Sequence, residues 1–331
     1  MRVAINGFGR IGRTVFRILE ETEGVDVVAV NDLFDYDTLR YLLNYDTIMG
    51  PFGKALRLED DHFITLNTRA RLMSEKNPAD LPWAEMGIDA VVECTGVFRK
   101  RAQLEQHLAA GAKRVILTVP AAEPIDYTVV LGVNDVGLLP EHRIISNASC
   151  TTNCFVPLVK VLDDAFGLEK GLMTTIHAYT GDQNIVDGPH SDLRRARAAA
   201  VNIIPTSTGA ARATSLVMQS MAGKLDGTAI RVPVPTGSLT DFTAVLASEP
   251  SAADINAAYE AAATEGRLAG VLDYSTAPLV SSDIVGAAAS CTFDSGLTMA
   301  IGNLVKVSGW YDNEWGYSNR LVDLIGIVGK A

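Results

Sequence analysis

A glycine triplet between a strand and a helix constrains this fold more than any other feature of the sequence. Residues 2–6 read as a short β-branched strand, Gly7-Phe8-Gly9-Arg10-Ile11-Gly12 follows at once, and a helical pattern occupies 11–21. Gly7 permits a tight turn, Gly9 lets the backbone approach a pyrophosphate, and Gly12 allows close helix–strand packing. The free N–H groups at the helix start face the same phosphates. Asp32 ends the next strand, 20 residues after Gly12, where a carboxylate can accept from a ribose 2′-hydroxyl. The plain alternative is a glycine turn beside a solvated acid. Strand, turn, helix and acid in this order favour a dinucleotide site, and the acid, which would repel a 2′-phosphate, favours NAD over NADP.

The rest of the first half keeps the same alternation. Residues 25–32, 90–95, 114–119, 127–133 and 143–146 read as strands, with a second helix at 101–110. Such alternation predicts a parallel sheet with crossover helices. After Gly171 longer apolar runs take over, at 172–178, 228–234, 239–246 and 297–308, with helical patterns at 210–222, 252–266 and 314–329. These predict an α+β region with a mixed or antiparallel sheet. The fold class expected is therefore α/β: a Rossmann-type domain over 1–149, a catalytic domain over 150–314, and a C-terminal helix, 315–331, packing back on the first. The length of 331 residues suits two domains.

The net charge of −11 argues against nucleic acid, whose phosphates demand a basic face. A small phosphorylated ligand needs only a few local cations. No apolar run reaches membrane-spanning length, the chain opens directly on a strand, and the four cysteines form no secreted-type framework. The reading is a soluble, cytoplasmic protein with no membrane partner.

Chemistry concentrates after residue 146. Ser146-Asn147-Ala148-Ser149-Cys150-Thr151-Thr152-Asn153-Cys154 joins a strand to a helical pattern carrying Phe155, Leu158, Val159 and Leu162. Cysteines are common small core residues, yet a core turn has no need of so many hydrogen-bonding side chains. At a helix N-terminus, Cys150 is expected to be biased toward thiolate, the nucleophilic form. His177 closes a strand just before a loop and suits a thiol's partner, although a lone His at a strand end is often structural. A zinc site built on Cys150, Cys154 and His177 lacks a fourth ligand, so no metal is expected.

The segment 182–203 is long for a loop and carries Arg194, Arg195 and Arg197 within four residues. A solvated surface would explain them; so would phosphate binding, which guanidinium groups suit. Thr206-Ser207-Thr208-Gly209 precedes a helical pattern, a second anion seat. Arg231 is read as the start of a strand ending in Pro-Thr-Gly.

The chain resembles the glyceraldehyde-3-phosphate dehydrogenase family nearly end to end. The resemblance rests on Asn6-Gly7-Phe8-Gly9-Arg10-Ile11-Gly12-Arg13, Asn31-Asp32, the cysteine segment, Ile176-His177-Ala178-Tyr179-Thr180, the 192–200 arginine segment, the 204–211 segment, the 231–237 segment and the 310–317 segment, Trp310 to Tyr317. It implies that Cys150 is the nucleophile and His177 its base. It implies substrate-phosphate contacts from Thr180, Asp182, Arg195 and Arg231, and inorganic-phosphate contacts from Ser149, Thr151, Thr208 and Gly209. Gly7, Gly9, Arg10, Ile11, Gly12, Asp32, Lys76, Thr118 and Tyr317 would contact NAD, and Asn313 would hold the nicotinamide carboxamide. Leu33 and Pro189 match the NAD-using forms. The activity implied is phosphorylating oxidation of glyceraldehyde 3-phosphate to 1,3-bisphosphoglycerate, in a homotetramer whose 182–203 loops, with Gly188-Pro189 at their middle, wall a neighbour's NAD site. Ser191 stands where the family often has Lys. An erythrose-4-phosphate dehydrogenase and a non-catalytic NAD-binding regulator are the rival readings; His177 to Thr180 and the 206–211 segment disfavour the first, and Cys150, His177 and Arg231 together disfavour the second.

Overall fold

The computed structural model describes residues 1–330, and the chain divides into two compact units. The first comprises Met1–Val129, Gly137–Ala148 and the chain from Ser318 on; the second comprises Val130–Val136 and Ser149–Tyr317.

In the first unit, β1 (Arg2–Asn6) leads through the glycine turn to α1 (Arg10–Leu19), then β2 (Asp26–Asn31) and α2 (Tyr36–Asn44). A short meander follows, β3 (Arg57–Glu59), β4 (His62–Ile64) and β5 (Arg69–Met73), then α3 (Trp83–Met86), β6 (Ala90–Glu93), α4 (Arg101–Ala109), β7 (Arg114–Leu117), β8 (Tyr127–Thr128) and β9 (Ile144–Ser146). The strands order as β3-β4-β5-β2-β1-β6-β7-β9-β8. From β5 to β8 every neighbouring pair is parallel. Helices lie between these strands in sequence, and residues 3–6 and all of β6 are buried, as expected of a sheet covered on both faces. The parallel sheet carries one antiparallel edge, where β3, β4 and β5 pair. Asp60 and Asp61 take positive φ, 48° and 57°, and turn the β3–β4 hairpin in two residues.

Two expectations need correction. The strand expected over 127–133 stops at Thr128. Within the second unit, Asn134 Oδ1 accepts from Val130 N at 2.8 Å and Asp135 Oδ1 from Gly132 N at 2.9 Å, so side chains take the backbone N–H groups that a ladder would need. The apolar run 297–308 is a hairpin, β16 (Met299–Ile301) against β17 (Leu304–Tyr311), because Gly302 at φ 58° and Asn303 turn the chain; these two are the last strands of the second unit, whose others follow.

That unit begins with α5 (Cys150–Phe166) and β10 (Leu168–Ala178) and continues through β11 (Ile204–Ser207), α6 (Ala210–Val217), β12 (Leu225–Val232), β13 (Ser238–Leu246), α7 (Ala252–Thr264), β14 (Leu272–Ser275) and β15 (Cys291–Asp294). The sheet runs β11-β12-β10-β13-β17-β15-β14 and is mixed, with β10–β12 and β14–β15 parallel. Arg231 is the penultimate residue of β12, not the start of a strand. The long α5 is buried on nearly every side. Phe155, Leu158, Val159 and Leu162 are fully covered in a core shared with Phe242, Tyr259 and Phe293, which fixes the N-terminal turn of the helix. α8 (Trp315–Val328) closes the chain, and its Val328 carbonyl accepts from Arg114 Nη1 at 3.1 Å within the first unit. Among the described residues no helix is long and apolar enough to cross a membrane.

Candidate active site

Ser149 caps α5, its Oγ accepting from Thr152 N at 3.1 Å, and Cys150 is therefore the first helical residue. Ala148, two residues before it, holds φ at 54° while buried, which turns the chain sharply from β9 into the helix. The thiol so presented meets His177, with Cys150 Sγ 3.5 Å from Nε2. The adjacency has a simple origin. β10 and β12 run parallel, and His177 and Arg231 are register partners. Arg231 Nη1 reaches His177 Nδ1 at 2.7 Å and the Ala178 carbonyl at 2.8 Å. Arg231 Nε, also buried, has no hydrogen-bond partner among the described residues.

Burial pushes the Cys150 thiol up from its ordinary value, against the Arg231 charge and hydrogen bonding from Thr151. The expected thiolate bias is thus overturned here, because burial of the charge outweighs the helix N-terminus. Burial, and then the Arg231 guanidinium, hold His177 down to about 3, against the Ala178 carbonyl. The ring is neutral, and its tautomer follows its partners. Nδ1 also lies 2.7 Å from the Ala178 carbonyl. Arg231 can only donate, so while it engages Nδ1 the ring proton sits on Nε2; when Nδ1 donates to Ala178 instead, Nε2 is free to accept the thiol proton.

Arg195 lies near enough for its charge to lower both Arg231 and His177. Its guanidinium donates to Asp182 Oδ2 at 2.8 Å and to Thr206 Oγ1 at 3.0 Å. Asp182 is shared, since His190 Nε2 lies 3.3 Å from its other oxygen. Thr151 is buried in the first turn of α5, and its hydroxyl pairs with that of Tyr311 at 2.9 Å; Tyr311 pairs in turn with Thr175 at 2.7 Å. Thr180 follows β10, and Thr208 and Gly209 precede α6, where Ala210 N donates to Thr208 Oγ1 at 3.2 Å. Asn313 is buried, and its Oδ1 accepts from Ser238 Oγ at 2.9 Å, which points Nδ2 toward another acceptor. Tyr317 is buried in the first turn of α8.

In the first unit the glycine turn and the acid come together. Asp32 Oδ2 accepts from Phe8 N at 2.6 Å, and Oδ1 from Phe34 N at 3.1 Å. Gly7 sits at φ 91°, and a Cβ there would come within 2.6 Å of Thr95 N. A Cβ on Gly9 would meet nothing within 4 Å, so the backbone beside the α1 N-terminus is open to a ligand, and Ile11 lies in that first turn. The Arg10 guanidinium is bound by both oxygens of Asp46, at 2.9 and 3.2 Å. Lys76 is exposed just after β5. Thr118 is buried and gives its hydroxyl to the Glu93 carbonyl at 2.9 Å.

Asp46, Tyr311, Ser238 and His190 were missed from sequence. Asp46, Tyr311 and Ser238 each act on a functional side chain from a distant part of the chain, whereas His190 acts on Asp182 within one loop; Tyr311, inside the 310–317 segment, and His190, inside the 182–203 loop, lay in stretches already singled out. Among the described residues no cluster of His, Cys, Asp and Glu is arranged to hold a metal.

Two family models match the chain: glyceraldehyde 3-phosphate dehydrogenase, NAD binding domain, over residues 1–101, and its C-terminal domain over 149–313. Curated relatives agree over full length. The chain is 58% identical to a glyceraldehyde-3-phosphate dehydrogenase of Mycobacterium avium, 57% to that of Mycobacterium tuberculosis H37Rv and 56% to that of Streptomyces coelicolor, covering 100% of this chain and 99% of each relative. With two domain models matched in order and relatives this similar along the whole length, the chain belongs to the glyceraldehyde-3-phosphate dehydrogenase family.

Proposed function

We propose that the protein oxidises glyceraldehyde 3-phosphate to 1,3-bisphosphoglycerate with NAD and inorganic phosphate. The observation that carries this is the Cys150 thiol 3.5 Å from a neutral His177, beside the half-buried Arg231 guanidinium. Cys150 Sγ attacks the aldehyde while His177 Nε2 takes the thiol proton and passes it to the former carbonyl oxygen, which gives a thiohemiacetal and restores the neutral ring. Nε2 next removes the hydroxyl proton of the thiohemiacetal, whose oxidation leaves a thioester on Cys150. NAD, when bound, accepts the hydride. Phosphate then attacks the thioester and releases the acyl phosphate, and the thioester conserves the oxidation energy until it does.

An anion at the Arg231 Nε would also draw Nη1 from His177 Nδ1, leaving Nδ1 to donate to Ala178 and Nε2 to act as base. Thr180, Asp182, Arg195 and Arg231 serve the substrate phosphate in this reading, with the Asp182 carboxylate orienting Arg195 rather than meeting the anion. Ser149, Thr151, Thr208 and Gly209 serve inorganic phosphate. The glycine turn, backbone N–H groups of Arg10 and Ile11, and Asp32 fit the pyrophosphate and adenosine ribose; Lys76, Thr118 and Tyr317 are the remaining cofactor contacts. The Asn313 amide fits the carboxamide, because its own oxygen is already taken. The first unit, with the last helix, acts as the cofactor domain and the second as the catalytic domain. An assay crossing glyceraldehyde 3-phosphate and erythrose 4-phosphate with NAD and NADP, with and without phosphate, tests the reading. Turnover is expected only with the triose phosphate, NAD and phosphate together; preference for the tetrose would overturn it.

Asp32→Ala is expected to raise the KM for NAD and relax rejection of NADP. Loss of a hydrogen bond to a charged group costs roughly 1.5–3 kcal/mol, and the Phe8 N–H of the glycine turn loses its acceptor as well. An unchanged KM for NAD would place the ribose acid elsewhere.

We also propose a cytoplasmic homotetramer of twofold-related subunits. Ile185, Val186, Leu193, Val201 and Ile203 of the 182–203 loop are all more than 70% exposed, an apolar stripe that supports burial against another copy. Light scattering at micromolar concentration should give four times the chain mass. A fully active monomer would refute the tetramer, whereas a dimer with weak NAD affinity, restored by Ser191→Lys, would trace the defect to Ser191.

A further inference from the structure

We propose that Glu93 is a positioning residue for the cofactor: its buried carboxylate holds the glycine turn and Asp32 in register from beneath. The proposal rests on the NAD reading and concerns side chains that touch no ligand. Glu93 ends β6 and is fully buried. Its Oε2 accepts from Asn6 Nδ2 at 2.6 Å and His107 Nε2 at 3.1 Å; its Oε1 accepts from Thr95 N at 2.8 Å and from the Thr95 hydroxyl.

Every proton in this cluster is fixed by its ends. Trp83 Nε1 can only donate, and it meets His107 Nδ1 at 3.0 Å, so the ring proton lies on Nε2, facing Glu93. Asn6 gives Nδ2 to Glu93, so its Oδ1 accepts, from Asn31 Nδ2 at 2.7 Å. Asn31 closes the chain on backbone, with Nδ2 to the Glu75 carbonyl and Oδ1 from Glu75 N, both at 2.8 Å. The two ends agree on one assignment, and it leaves Glu93 with four donors and no acceptor.

The chain of bonds ties the C-terminal ends of β1, β2 and β6 at the residues that carry the cofactor elements. Asn6 precedes Gly7, Asn31 precedes Asp32, and Thr95 N is the atom a Cβ on Gly7 would strike. Asp32 then reaches back to Phe8 N. A buried carboxylate is an expensive way to stabilise a sheet. What it supplies is direction: an amide in its place would have to turn an NH2 toward obligate donors, and Asn6 or Thr95 would move.

Glu93→Gln provides the test, with thermal unfolding to establish that the variant is folded. NAD affinity, read by titration, is expected to fall about tenfold or more, the lower end for losing a hydrogen bond to a charged group. The KM for the aldehyde and the alkylation rate of Cys150 should not change; a purely structural role would lower Tm and leave NAD affinity alone. His107→Gln can accept from Trp83 and donate to Glu93, so it should bind NAD nearly as the parent does, whereas His107→Leu should bind it several-fold more weakly. That pair decides the matter if Glu93→Gln does not fold. Parental NAD affinity in folded Glu93→Gln, or equal affinities in the two His107 variants, overturns the proposal. If the parent protein itself binds no NAD, the cofactor reading fails, and this proposal falls with it.

Discussion

Replacing Cys150 with Ser is expected to reduce aldehyde oxidation by roughly four orders of magnitude or more while leaving NAD binding near its parental value. Serine keeps the cap geometry, since Ser149 and not residue 150 accepts the Thr152 N–H. What it loses is the nucleophile. A hydroxyl beside a ring held down to about 3 has only a weak base to take its proton. The glycine turn and Asp32 bond within the first unit and make no use of residue 150. Two measurements check this: the single-turnover burst of NADH, expected to vanish, and NAD titration, expected not to move. Substantial turnover by the serine variant would sink the nucleophile assignment.

Local chemistry was legible before the fold was known, and long-range pairing was not. Glycines, a following helix and a strand-end acid occupy fixed offsets, so the residues of the cofactor turn could be read in order. The start of α5 was legible for the same reason: small polar residues beside an apolar helical stripe mark a cap. The meeting of His177 with Arg231 was not, because it depends on β10 and β12 lying side by side in parallel, with Gly171–Ala178 of β10 set in register against Leu225–Val232 of β12. The edge hairpin at Asp60-Asp61 escaped because two aspartates lack the glycine that usually announces such a turn. α2 escaped too, though Asp35 caps it through Thr38 N at 2.9 Å; its apolar face is narrow, with only Leu39 and Leu43 buried. The direction of the thiol shift was misread for a physical reason. A helix N-terminus is a local feature visible in sequence, whereas the burial that opposes it belongs to the assembled core.

Replacing His177 with Asn should slow the chemical step by ~10²–10⁴-fold, the usual loss for a general base. Alkylation of Cys150 separates that loss from damage to substrate binding, because it needs no substrate phosphate. The sign follows from the two shifts. Burial raises the thiol, so at neutral pH Cys150 is protonated and its proton must be removed for attack. Burial and Arg231 lower His177 to about 3, so above that pH the ring is neutral and, in the tautomer whose Nδ1 donates to Ala178, its Nε2 is able to take the proton. In the parent, base assistance is therefore present throughout the neutral range. The asparagine variant has only spontaneous ionisation of the thiol, so its alkylation rate should climb about tenfold per pH unit through neutrality. It should start well below the parent and approach it at high pH, where the thiol ionises unaided. Asparagine retains a hydrogen-bonding amide for Arg231 and Ala178, so the strand register of β10 and β12 should survive, and an unchanged Tm would establish that it does. Superimposable pH profiles for parent and variant would mean that His177 does not tune the thiol, and the base would then have to be sought elsewhere in the second unit.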